Sequence, residues 1–181
     1  MARIAIIDRA DMTAEQARVY DAAKNAGGPV GGPFLAYIRL PKLFEGIHAM
    51  RASMAGGPLT RREQQIVNLT VARHWGARYP WYAQVRASLG VGIAQAAIDA
   101  INAGKAPELP DAREKMCHTV ARELLAEKRL SDATYAAAET TMGLERLVAL
   151  AAMTGSFSMT CLSANTFAIE PPADNPTPLA E

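Results

Sequence analysis

The chain has 181 residues, a formal net charge of +1, 50% apolar and 20% charged side chains, which suits a single domain able to bury a core without disulfides or metal. So even a charge balance carries no signature of a nucleic-acid or membrane surface. The two cysteines, Cys117 and Cys161, lie far apart and outside any CxxC pair, so they read as buried free thiols rather than as a metal site or a disulfide framework.

The first residues, MARIAIIDRAD, hold an apolar run of only four before Asp8. That is too short for the core of a signal peptide, and a cytoplasmic protein is expected. Thr13 with Gln16 forms a capping box and predicts a helix to about Asn25, ended by Gly27-Gly28-Pro29. Pro41 then opens a helix carrying Phe44, Ile47 and Met50, stopped by Gly56-Gly57-Pro58. Thr60 with Glu63 is a second capping box, followed by Ile66, Val67, Leu69, Val71 and His74 at helical spacing, with Gly76 as the stop. Pro80 fits the first turn of the next helix, which runs to Gly90. Further helices are expected near residues 93–103, 111–127, 131–142 and 144–167.

Residues 147–169 form a run of 23 without a charge, long enough to cross a bilayer. Its Thr, Ser and Asn residues and the lack of a second span favour a central buried helix instead. Only Ile4-Ala5-Ile6-Ile7 hints at a strand, so the class is all-α, with residues 1–170 as one domain. Pro171, Pro172, Pro176 and Pro178 predict a mobile tail over residues 171–181.

Chemistry concentrates in residues 59–90. Tyr79, Trp81 and Tyr82 supply three of the eleven aromatic residues within four positions, which points to a lined pocket or a subunit contact. Arg78 stands at a helix entrance where a cation gains nothing from the dipole; it is either an exposed residue of no consequence or aimed at an anionic substrate. His74 near a helix C-terminus suits capping better than catalysis, and His48 and His118 read as packed or solvated. No pair of histidines has metal-ligand spacing with a third carboxylate. The string LTRREQQIVNLTVAR resembles the opening helix of a response-regulator helix-turn-helix, but Tyr79, Pro80, Trp81 and Tyr82 make a poor recognition helix.

Read through to Gly90, the string QQIVNLTVARHWGARYPWYAQVRASLGV resembles the carboxymuconolactone decarboxylase family, which includes the alkylhydroperoxidase D-like proteins. Gly31-Gly32-Pro33-Phe34, Leu40-Pro41-Lys42-Leu43 and the segment from Leu130 to Tyr135 extend the likeness over roughly residues 12–170. The resemblance implies a compact multi-helix bundle, assembled as a homotrimer or hexamer, with a pocket near a subunit contact. Ala77 and Pro80 stand where peroxidase-type members carry their cysteines, Gln65 where they carry Glu, and Gln84 where they carry His. A CxxC thiol peroxidase is therefore not expected. The branch without the cysteine pair implies a cofactor-free lyase or decarboxylase acting on a small organic acid or lactone. Tyr79, Gln84 and Gln65 would then act in catalysis, and Trp81, Tyr82, Arg78 and His74 would bind substrate. Carboxamides do not titrate, so the alternative is a catalytically silent small-molecule binder. A helix-turn-helix regulator comes third.

Overall fold

In a computed structural model, which describes residues 2–180, both predicted capping boxes close in full. Thr13 and Gln16 exchange side-chain and backbone hydrogen bonds at the start of α1, Ala14–Asn25. After a loop, the short α2, Phe34–Tyr37, leads into α3, Pro41–Ala55, which begins on its proline. Thr60 and Glu63 cap α4, Arg61–His74, and Gly76 takes a left-handed φ of 57° beyond its end. Next come α5, Arg78–Gly90, and α6, Gln95–Asn102. Asp111 caps α7, Ala112–Glu127.

The last helix, α8, spans Asp132–Thr166 but is broken at Gly143, whose φ of 78° lies outside the helical region. The expected boundary between residues 142 and 144 is thus a kink within one long element, placed where only glycine adopts the backbone freely. The turn at Arg9–Asp11 and α2 were not foreseen, and residues 4–7 form no strand.

Two apolar clusters result. The larger draws Ile66, Val67, Leu69 and Val71 of α4 together with Trp81, Val85, Ile98, Val120, Leu150 and Phe157. Its axis is α4, which packs against α5, α6, α7 and α8. The buried residues of α8 recur as Leu147, Leu150, Met153, Thr154, Phe157, Cys161 and Ala164, a helical stripe facing that axis. The long uncharged run is accordingly a core helix of the bundle, as its polar residues suggested; Thr154 and Ser158 return their hydroxyls to carbonyls one turn back. A smaller cluster joins Val19, Phe34, Tyr37, Phe44 and Ile47 of α1, α2 and α3.

The proline-rich tail, expected to be mobile, returns to the bundle. Trp81 Nε1 donates to the Thr177 carbonyl at 3.1 Å, Asn102 Nδ2 to the Pro178 carbonyl at 3.0 Å, and the Ala180 amide to Asn102 Oδ1 at 2.8 Å. Leu179 packs on the larger cluster. Four prolines make the unfolded tail stiff, which lowers the entropy lost on docking. Asn102→Ala removes two of the three hydrogen bonds at a partly exposed position. It should leave global stability within about 1–2 kcal/mol while speeding proteolytic cleavage near residue 177. Unchanged protection of the tail would show that Asn102 is not its anchor.

Candidate functional site

The seam between the two clusters holds a cavity of about 100 Å³. Its walls come from α3, through Ile47, Met50, Arg51 and Met54, from α4, through Gln65 and Asn68, from α5, through Gln84, and from α8. The capped start of α4 fixes the rotation of that helix, so Ile66, Val67, Leu69 and Thr70 face the bundle while Gln65 and Asn68, three residues apart, turn toward α3. Asn68 Nδ2 donates to Gln84 Oε1 at 3.3 Å. Gln65 Oε1 and Asn68 Oδ1 are buried and accept no hydrogen bond among the described residues, a costly condition for carbonyl oxygens unless something else reaches them.

Two cations line the cavity, Arg51 half-buried and Arg61 at its exposed edge. Burial draws the pKa of Arg51 below the usual arginine value, although a guanidinium keeps its proton at any ordinary pH. Arg51 forms no ion pair with a described carboxylate, and its guanidinium carbon lies 5.5 Å from the centre of the Phe34 ring. Such a contact contributes roughly 0.5–2 kcal/mol, less than the several kcal/mol that desolvating an unpaired ion costs. No His, Asp, Glu, Cys or Tyr lines the cavity. The arrangement can orient and bind an anion or a carbonyl, but offers no group that exchanges protons near neutral pH.

Of the seven residues named from the sequence, the structure brings together Gln65 and Gln84 and places the other five elsewhere. Trp81 is fully buried in the larger core, where it packs the bundle. Tyr79, half-buried, lies against Gly32 and 6.2 Å from the Tyr82 ring, and burial raises its pKa. Tyr82 accepts from Arg86 at 2.9 Å. Arg78 is exposed and pairs with Glu170 at 3.7 Å. His74 sits at the end of α4, edge-on to Trp75, facing a different cleft. The aromatic cluster thus divides between core and loop packing, because Trp81 and Tyr79 point to different sides of α5.

Arg51 was missed by the sequence reading. Its signal was a cation placed four residues after Ile47 and three before Met54, on the apolar stripe that begins at Phe44. Asn68, one turn from Gln65, could have been found the same way.

No protein-family model and no curated protein matches the sequence. Among solved structures, an uncharacterized peroxidase-related protein from Ralstonia eutropha JMP134, described as an alkylhydroperoxidase AhpD core, is similar with a TM-score of 0.76 and 20% identity, over 96% of this chain and 93% of that one. An uncharacterized peroxidase-related protein from Silicibacter sp. TM1040 gives 0.76 and 19% over the same shares. The chain has the alkylhydroperoxidase D core fold. Ala77 and Pro80, the positions that the resemblance in sequence matches to the thiols of peroxidase-type members, are both buried. Cys117 and Cys161 are buried free thiols in the larger core, with Cys117 pushed up to about 12 by burial and Cys161 pushed up further. Neither is a ready thiolate.

Tyr79 holds the loop before α2. Gly32 has a φ of 58°, and a Cβ there would stand 2.1 Å from Tyr79 Cε1. Gly32→Ala should therefore destabilise by about 2–4 kcal/mol, from backbone strain and overpacking together. Adding Tyr79→Ala should recover the steric share only, measurable as a coupling in a double-mutant cycle of denaturant unfolding. Strict additivity would show that the ring and the glycine do not depend on each other.

Proposed function

We propose that the protein binds a small organic acid in the cavity between α3, α4, α5 and α8. The observation that carries this reading is the Arg51 guanidinium, half-buried and without a carboxylate partner among the described residues, beside two unpartnered carboxamide oxygens. A ligand carboxylate offers it two parallel charge-assisted hydrogen bonds. Hydroxyl or protonated groups of the ligand would meet Gln65 and Asn68, and Gln84 would orient them. At about 100 Å³ the cavity holds only a few water volumes. Met50, Met54 and Met153 separate it from an apolar recess of about 300 Å³. Methionine side chains adapt readily, so an acid with an apolar ring or chain fits by displacing them.

Binding is favoured over lyase chemistry by the charge itself. A guanidinium that holds a carboxylate stabilises the ground state more than a transition state in which that charge leaves with carbon dioxide. Decarboxylation of an acid or lactone that supplies its own electron sink is the second reading, supported by the shielded, amide-lined walls. The peroxidase-related label of the similar structures does not carry over, since no thiol pair stands in this chain at the required positions. Self-association completes the reading: Leu144, Val148 and Leu162 leave an exposed apolar face on α8, which a trimer or hexamer would cover. Sedimentation of Val148→Asp should then give a smaller species than the parent chain, and equal masses would remove α8 from the contact.

Titration calorimetry with a panel of small carboxylates bearing apolar bodies tests the site. Arg51→Gln should weaken any binder at least tenfold, and Gln84→Ala several-fold, with circular dichroism unchanged. Binding that survives Arg51→Gln overturns the assignment. Carbon dioxide release that depends on Gln84 would instead establish the lyase reading.

A further inference from the structure

A second cleft, of about 160 Å³, lies on the opposite side of α4, lined by Thr70, Arg73, His74, Ile101, Gly104, Lys105, His118, Arg122 and Leu125. Three fixed cations, Arg73, Lys105 and Arg122, and two imidazoles, His74 and His118, converge there, and no carboxylate is among its walls. None of the five donates a side-chain hydrogen bond or forms an ion pair within the described residues, though Asp and Glu side chains elsewhere are paired with Arg9, Arg18, Arg62, Arg78 and Arg113. His118 is only 7% exposed and Arg73 Nε is buried, both without a polar partner.

We infer that this cleft is a binding site for a small oxyanion, of the phosphate, sulfate or carboxylate type, held by Arg73, Lys105 and Arg122 with His118 at its floor. The simpler explanation is that cations gather at helix C-termini to offset the dipole. That accounts for Arg73 and His74 at the end of α4 and for Lys105 just past α6. It does not account for His118 and Arg122, which stand inside α7, whose last turn has no basic residue. Like charges brought this close repel one another unless an anion lies between them. The volume is a few waters' worth, the size of one tetrahedral anion or a short carboxylate. Thr70 spends its hydroxyl proton on the Ile66 carbonyl, so the donors left to an anion are the three cations and the imidazoles.

A pH signature follows. Burial, with the charge of Arg122, pushes His118 down to about 4, so its ring is neutral at pH 7 when the cleft is empty. An anion opposes that charge and draws the value up, so binding takes up a proton and tightens as pH falls from 8 toward 5. His74, lowered by burial, would contribute in the same direction.

Thermal unfolding with sodium sulfate, compared with sodium chloride at equal ionic strength, tests the site directly, since sulfate keeps its charge over this range. Sulfate should raise Tm beyond chloride, and more at pH 5.5 than at pH 8. Arg122→Gln, at an exposed mid-helix position, should weaken sulfate binding about tenfold while leaving Tm in chloride nearly unchanged. Parallel titrations with inorganic phosphate and acetate show which oxyanion is held best. Equal Tm in sulfate and chloride would overturn the inference. So would an Arg122→Gln variant, or a Lys105→Gln variant if the first fails to fold, that responds to sulfate as the parent does.

Discussion

The buried carboxylate of Glu63 is the point on which the bundle turns. Only 1% exposed, it accepts from the Thr60 amide at 2.7 Å and faces Arg113 of α7 at 3.4 Å. One side chain thus starts α4 and ties it to α7. Arg62 doubles the tie, bonding Glu114 through two nitrogens at 2.6 and 3.0 Å. Leaving one such buried charge unpaired costs about 3–5 kcal/mol, so the rotation of α4 about its axis is set at its first turn. Every later residue of the helix inherits that setting: Ile66, Val67, Leu69 and Val71 enter the core, while Gln65 and Asn68 reach the seam.

The seam itself is lightly held. α3 packs chiefly against α1 and α2, and the polar links across to the bundle are few: Tyr37 to the Met159 carbonyl at 3.2 Å, Gln64 to the Met54 carbonyl at 3.3 Å, and Ser156 to the Met54 sulfur at 3.4 Å. A boundary of sparse hydrogen bonds and methionine side chains opens at lower cost than either core. The cavity adjoins larger spaces. Arg51 borders both it and a space of about 530 Å³ beside α1 that includes His48.

Much of this was legible in the sequence, because the signals are local. Thr13 and Thr60, with Gln16 and Glu63 three residues on, mark helix starts through hydrogen bonds made within one turn, and Gly76 and Gly143 mark stops through their backbone freedom. Gln65 and Gln84 were placed by resemblance and do share a cavity. Density of aromatics along the chain says nothing about which side of a helix each one faces, and the structure sets Trp81 in the larger core and Tyr79 against the loop before α2. The docked tail was invisible for a related reason. Proline content predicts stiffness, whereas docking depends on Trp81 and Asn102, far away in sequence, offering a donor and an acceptor at the right spacing.

Net charge concealed the most. A total near zero gives no sign of a charged face, yet it is a sum, and the structure distributes it unevenly. Acidic side chains are committed to helix starts and surface pairs, at Asp21, Glu45, Glu63, Glu114 and Glu170. Arg51, Arg73, Lys105 and Arg122 are left without carboxylates, beside cavities on two sides of α4. Water can solvate an exposed cation without a counter-ion, but the buried Nε of Arg73 and the half-buried Arg51 have lost part of that solvation. An anion of the proposed kind would restore it, its own desolvation offset by the N–H donors of the cations and imidazoles around it.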